Sequence, residues 1–116
     1  MRELPVRQRG ACCELPAAPD ERRAGEAAEL LKALADPTRL SMVAALARAS
    51  APVCICDFTA AFGLSQPTVS HHMARLKAAG LVESRKQGIW TYYRLRADLP
   101  PAAARLVELL VAEVLP

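Results

Sequence analysis

From Asp20 onward, apolar positions recur every three or four residues, the spacing of amphipathic helices. Ala24, Ala27, Ala28, Leu31 and Leu34 mark the apolar face of a first helix, with Asp20 placed to cap it. Asp36-Pro37 breaks that pattern. Asp36 suits the N-cap of a second helix and Pro37 its first position, where a backbone N–H would have no partner in any case. Leu40, Val43, Ala44, Leu46 and Ala47 carry the period on until Ser50-Ala51-Pro52 ends it. A short third helix is predicted from about Cys56 or Asp57 to Phe62, closed by Gly63 in a left-handed turn. Ser65 then caps a fourth helix, Gln66 to Lys77.

After Gly80 the period shortens to two. Leu81-Val82-Glu83-Ser84-Arg85-Lys86 alternates apolar and polar residues, and Ile89-Trp90-Thr91-Tyr92-Tyr93-Arg94-Leu95 is rich in strand formers. Gln87-Gly88 is predicted to join the two as a hairpin. The last segment, Pro100 to Leu115, is helical again and carries Leu106, Val107, Leu109, Leu110, Val111, Val114 and Leu115. That is more apolar surface than one exposed helix face leaves to water. Either this helix closes the core of its own chain, or it joins the Leu30, Leu31 and Leu34 edge of the first helix in a two-fold interface; the apolar surplus favours a homodimer. Residues 1–19 contain Pro5, Pro16 and Pro19 and no sustained period, which predicts a flexible arm ahead of a single domain over 20–116.

The fourth helix divides into two faces. Val69, Met73 and Leu76 form an apolar stripe, while Pro67, Ser70, His71, Ala74 and Arg75 lie broadly opposite on a small, polar and basic surface. A short helix, a turn through Gly63-Leu64-Ser65 and a second helix with such a face is the layout of a helix-turn-helix whose second helix enters the DNA major groove. Ser65, Gln66, Thr68, Ser70 and His71 are candidates for base edges or phosphates, and Arg75 and Lys77 for phosphates. A basic hairpin directly after such a helix is a wing, with Arg85 and Lys86 placed for phosphates or the minor groove and Arg94 as a further candidate. An ordinary solvated helix face is the alternative for the first set. Packing within the hairpin is the alternative for Trp90, Tyr92 and Tyr93, favoured for Tyr92 and open for the others. The fold class predicted is mainly α with a small β-hairpin: a winged helix-turn-helix of order α-α-α-α-β-β-α, dimeric through its first and last helices.

Composition narrows the chemistry. The 116 residues are 53% hydrophobic with few aromatics and a formal net charge of +3, which permits nucleic-acid binding without demanding it. No apolar run approaches the roughly 18 residues of a membrane span, and no secretory signal opens the chain, so the expectation is a soluble cytoplasmic protein. No phosphate-cradling glycine loop, paired carboxylates or nucleophile triad points to an enzyme. Four cysteines stand in two tight pairs, Cys12-Cys13 and Cys54-Ile55-Cys56. In a reducing compartment such pairs are more often metal-binding or redox-active than structural disulfides. Soft thiolates select thiophilic ions. On a complete helix, positions two apart diverge by about 200°, so chelation by both Cys54 and Cys56 is expected to distort the helix start.

Three motifs together carry a resemblance: Leu31-Lys32-Ala33-Leu34-Ala35-Asp36-Pro37-Thr38-Arg39-Leu40; Val53-Cys54-Ile55-Cys56-Asp57; and Leu64-Ser65-Gln66-Pro67-Thr68-Val69-Ser70-His71-His72-Met73 through Gly80-Leu81-Val82. From about Ala24 to Leu95 the chain resembles the ArsR/SmtB family of winged-helix, metal-responsive repressors. The resemblance implies a homodimer that holds operator DNA until a toxic ion releases it. It also implies that Cys54 and Cys56, in a Cys-x-Cys-Asp motif before the recognition helix, are ligands for As(III) or Sb(III). The third cysteine that some members carry shortly after this motif is absent here, where Thr59, Ala60 and Ala61 stand. Members with N-terminal cysteines use them as additional ligands. Cys12 and Cys13 are therefore candidates too, and all four thiolates would instead suit Cd(II) or Pb(II). Relatives that sense zinc or nickel draw histidines from the last helix, which here has none. A thiol redox switch on the same residues is the second class of reading.

Overall fold

The computed structural model describes residues 3, 4, 6, 8–10 and 20–116. Cys12 and Cys13, and with them the arm's expected part in ligand binding, lie outside the described residues. The elements are helices α1 (Glu21–Leu34) and α2 (Pro37–Arg48), strand β1 (Val53–Cys54), helices α3 (Ile55–Phe62) and α4 (Gln66–Ala78), strands β2 (Val82–Gln87) and β3 (Trp90–Leu95), and helix α5 (Pro101–Leu109), which runs into a π-helical turn at Leu110–Val114.

The capping residues act where the sequence places them. Asp20 accepts the Arg22 N–H at 2.9 Å, Asp36 the Arg39 N–H at 2.9 Å, and Ser65 the Thr68 N–H at 3.4 Å. Each supplies an acceptor to a helix-end donor that the helix itself cannot satisfy. Gly63 ends α3 at φ +62°, a left-handed conformation in which a side chain would be strained.

One core unites the elements. Met42 and Val43 of α2, Val69, Met73 and Leu76 of α4, and Leu81 and Val82 at the entry to β2 are almost completely buried. Phe58 of α3 is buried with them, stacked on Phe62 and edge-on to Tyr93 of β3. Full burial of side chains of this size stabilises by about 1.5–3 kcal/mol each, so the apolar stripe of α4 fixes that helix against α2, α3 and the sheet.

Four features differ from the sequence reading. Val53 and Cys54 form a strand, so the hairpin belongs to a three-stranded antiparallel sheet of order β1-β3-β2, with Val53 opposite Tyr93 and Cys54 opposite Tyr92. Two residues are too few to show a period, which is why the strand is invisible in the pattern. Because β1 runs to Cys54, α3 begins at Ile55, with Cys54 as its N-cap. The hairpin turn is Gly88-Ile89, since Gln87 still pairs with Trp90. In α1 only Ala33 and Leu34 are buried; Ala24 and Ala27 are exposed, because α1 meets the core through its C-terminal end, from Leu30 onward.

The C-terminal helix divides its apolar surplus. Ala103 and Val107 are buried and Leu106, Leu110 and Val111 pack against the core, whereas Leu109 is 55% and Val114 60% exposed. The π turn is marked by the Leu115 N–H donating to the Leu110 carbonyl at 2.7 Å, five residues back. Arg48 at the end of α2 donates to the carbonyls of Val111 and Leu115, tying this end of the chain to α2.

Candidate nucleic-acid interface and thiol pair

Burial of Val69, Met73 and Leu76 turns the opposite side of α4 to solvent. Thr68, His71 and Arg75 are exposed and fall at i, i+3 and i+7, a single stripe. Ser65 and Gln66 lie exposed at its head, where the Ser65 and Thr68 hydroxyls are 2.9 Å apart. No carboxylate occurs anywhere in α4. Two of the candidate residues turn elsewhere. Ser70 is half-buried beside the Tyr93 hydroxyl, and Lys77 donates to Ser84 Oγ at 3.0 Å, bracing α4 against β2. Burial pushes the Tyr93 phenol above its ordinary value, so Tyr93 is a neutral core group.

Arg39 sets the attitude of this helix, and the sequence reading passed over it. The side chain is buried; its Nε donates to the Ala33 carbonyl at 2.6 Å, its Nη2 to the Lys32 carbonyl at 3.3 Å, and its Nη1 lies 3.4 Å from His72 Nδ1. Arginine only donates, so His72 must accept through Nδ1 and carry its proton on Nε2. One guanidinium thus joins the end of α1, the start of α2 and the middle of α4. The available signal was a cation in the first turn of α2, where it opposes the helix dipole and needs a compensating role. Asp36, which caps the same turn, is held below the usual carboxylate range, first by the Arg39 backbone N–H and then by the nearby Arg39 guanidinium.

In the wing, Val82 pairs with Leu95, Ser84 with Tyr93 and Lys86 with Thr91 on the core-side face; Glu83 with Arg94, Arg85 with Tyr92 and Gln87 with Trp90 occupy the other. Arg85 and Lys86 are neighbours in a strand and therefore project from opposite faces. Both are exposed. Arg94 is ion-paired with Glu83 and contributes less free charge. The outer face lines a cleft of about 620 Å³ with Ala51 and Pro52 at its border.

The thiol pair stands at the head of α3. Cys54, buried, has an extended N-cap conformation (φ −70°, ψ 145°), and Cys56, exposed, is in the first turn; their sulfurs are 2.9 Å apart. This corrects the expectation that helix geometry separates them. Cys54 is outside the helix, so the 200° divergence of two helical positions does not apply and no distortion is needed to bring the sulfurs together. The Asp57 carboxylate accepts the Cys54 N–H at 3.3 Å while the Cys54 side chain faces the Asp57 N–H, the two arms of a capping box. The Cys56 thiol is pushed above its ordinary value, first by its hydrogen bond to the Cys54 sulfur, then by burial and the Cys54 and Asp57 charges. Cys54 is also the last residue of β1, hydrogen-bonded strand to β3. The pair therefore sits where the helix-turn-helix and the wing meet.

The sulfurs fit a shared thiophilic ion. At thiolate bonds of about 2.3 Å, two sulfurs on one ion stand about 3.3–3.8 Å apart, which the observed pair reaches by opening less than about 1 Å. Among the described residues no group of three or more His, Cys, Asp or Glu side chains is gathered to hold a metal ion. The chain's other two cysteines, Cys12 and Cys13, lie outside those residues. Nor, among the described residues, is any helix long and apolar enough to cross a membrane.

Known proteins are similar to this chain in sequence and in fold. Residues 36–84 match the family model described as bacterial regulatory protein, arsR family. The chain is 42% identical over 80 residues to the arsenical resistance operon repressor of Escherichia coli K12, covering 69% of this chain and 68% of that one. Among solved structures it is similar to HlyU of Vibrio cholerae (TM-score 0.67, 30% identity, 78% of this chain and 94% of that one). It is also similar to the homodimeric winged helix-turn-helix DNA-binding domain Mb0332 of Mycobacterium bovis (TM-score 0.64, 32% identity, 82% and 86% covered).

Proposed function

The chain belongs to the arsR family of bacterial regulatory proteins, a family of DNA-binding transcriptional repressors and not of enzymes, and from that premise we propose that it is a metalloid-responsive repressor. It binds operator DNA as a homodimer and lets go when As(III) or Sb(III) bonds to Cys54 and Cys56. The observation that carries this reading is the pair of sulfurs 2.9 Å apart at the head of α3.

The homodimer is supported by the large apolar side chains the single chain leaves in water. Leu31 of α1 is 54% exposed, and Leu109 and Val114 in the C-terminal helical segment are 55% and 60% exposed. Pairing through the first and last helices would cover them and set two copies of α4 in successive major grooves of a palindrome. Gln66, Thr68, His71 and Arg75 then face the bases and phosphates, while Arg85 and Lys86 straddle the neighbouring backbone. Ser65 and Lys77 hold the two ends of α4, and Ser70 holds it to the sheet.

Release follows from where the thiols are. Arsenite arrives as neutral As(OH)3 and exchanges hydroxide for thiolate: As(OH)3 plus two thiols gives a dithiolate and two waters. The protons of the thiols leave on the hydroxides, so even the raised Cys56 thiol needs no separate base. Holding Cys54 and Cys56 to one atom biases both the start of α3 and the β1-β3 pairing. A ligand that binds the two states of this junction unequally shifts the DNA-binding equilibrium. Cd(II) or Pb(II) would require Cys12 and Cys13 as further thiolates. A redox switch draws less support, since the upward shift of Cys56 lowers the fraction of the reactive thiolate.

The test is a titration by fluorescence anisotropy. Reduced protein on a duplex from upstream of its own gene is challenged with arsenite, antimonite, cadmium, lead and zinc. Release by arsenite or antimonite at near-stoichiometric levels is expected; release by cadmium or lead alone would replace this reading with the four-thiolate one.

A further inference from the structure

The wing ends in a feature that neither folding nor charge explains. Of its aromatic residues, Tyr93 is buried and Tyr92 half-buried, but Trp90 is 47% and its neighbour Ile89 86% exposed. Both lie at the tip of a regular antiparallel ladder that pairs without interruption from Val82-Leu95 to Gln87-Trp90. The tip is therefore held rather than loose. Gly88 has φ +63° and is followed by Ile89 without a positive φ, which fits the two-residue turn that needs glycine only at its first position and displays the second residue outward. Arg94 and Arg96 are ion-paired with Glu83 and Asp98, so the cationic character of the ribbon rests on the exposed Arg85 and Lys86 beside the tip. An apolar tip on a narrow, cationic two-stranded ribbon is suited to one kind of partner, a polyanion with an apolar interior.

We propose that Ile89 and Trp90 are a wedge that enters the DNA minor groove beside the α4 site and partly unstacks a base step. This rests on the reading of α4 and the wing as a DNA interface and adds to it a specificity device without base-edge hydrogen bonds. Apolar side chains inserted this way kink duplex DNA toward the major groove. Pyrimidine–purine steps yield most easily, so the wedge makes the chain sensitive to sequence at positions that α4 does not touch. Arg85 and Lys86, on opposite faces of β2, steady the ribbon on the phosphates of the two strands that wall the groove.

Trp90 is the only tryptophan of the chain, so its emission reports the wing tip directly. Reduced, metal-free full-length protein is titrated with an end-labelled duplex from upstream of its own gene, reading duplex anisotropy, end-to-end energy transfer and Trp90 emission in parallel. Saturation is expected to quench Trp90 and shield it from acrylamide, and to shorten the end-to-end distance. Ile89→Ser is expected to weaken binding about tenfold, the worth of roughly two buried methylenes, and to lessen the bend while leaving the salt dependence unchanged. Arg85→Ala is the control with the opposite signature, lowering the salt slope by about one. If the duplex binds but Trp90 stays as accessible as before and Ile89→Ser binds like the wild type, the wedge is wrong and the DNA interface stands. If the duplex does not bind at all, the interface itself is wrong. A Trp90 change that depends on protein concentration without DNA would assign the tip to a second copy of this chain, and the wedge would fall.

Discussion

α3 and α4 begin almost alike. Cys54 and Ser65 are both extended N-caps, with φ and ψ of −70° and 145° in one and −71° and 156° in the other. The difference is one atom. Ser65 presents an oxygen that accepts from Thr68, whereas Cys54 presents a sulfur, a weak acceptor. At α3 the Asp57 carboxylate reaches back to complete the capping box, and the sulfur also meets the neighbouring Cys56. Beyond its cap, α4 is held by Lys77 on Ser84 and by Arg39 against His72. On the proposed reading, sensing falls on the helix start whose capping atom is a thiol sulfur, and DNA reading on the one whose capping atom is a hydroxyl oxygen. Two consecutive helices of one motif can be tuned separately because each end is satisfied locally.

The largest effect should come from making α3 begin as α4 does. Cys54→Ser installs an oxygen cap and removes a ligand. DNA affinity is expected to stay within about twofold, while the arsenite needed for release rises by about 100-fold or more. Cys56→Ser should lose release in the same way without strengthening the cap. Anisotropy titrations of both variants check this; normal release by either would remove the thiol pair from the mechanism.

A smaller and graded effect separates the candidate ions. At pH values below the thiol pKa, a divalent ion must displace a proton from each thiol it binds, so its apparent affinity rises with pH by up to about tenfold per unit for each proton. The upward shift of Cys56 extends that regime to higher pH. As(OH)3 leaves the balance proton-free, because its hydroxides take the protons away as water. Release midpoints measured from pH 6 to 8 should therefore be nearly flat for arsenite and fall steeply for cadmium. A steep arsenite profile would contradict the exchange proposed.

Much of the reader was legible from the sequence because its signals are local. Asp36-Pro37, Ser65, Gly63 and the Val69, Met73 and Leu76 stripe each state a position in a helix without knowledge of anything distant. What escaped depends on partners far along the chain. β1 exists only because Val53 and Cys54 meet Tyr93 and Tyr92, about forty residues later, and that pairing holds Cys54 extended at the N-cap of α3, beside Cys56. Arg39 reaches His72 across 33 residues, and Ser70 and Lys77 are drawn inward by Tyr93 and Ser84. Sequence could mark these side chains as polar and outward by helical period; the sheet that claims them was not in the period.

The smallest predicted effect is the converse exchange at α4. Ser65→Cys keeps the shape of the cap and replaces only its oxygen, giving the reader the start that the sensor has. Loss of an N-cap oxygen costs about 0.5–2 kcal/mol, and the retained sulfur should keep the cost near the lower end. Melting temperature should fall by a few degrees, DNA affinity by about two- to fivefold, and the arsenite midpoint for the DNA that remains bound should not move. Ser65→Ala, with no acceptor, should fall further on both measures. Should Ser65→Ala melt and bind like the wild type, the firmness of α4 would belong to Arg39 and Lys77, and the contrast between the two helix starts would reduce to the thiols alone. Arg39→Met would then be the damaging change, since it leaves the Lys32 and Ala33 carbonyls without their donor at a cost of about 1–3 kcal/mol and frees His72 from its restraint.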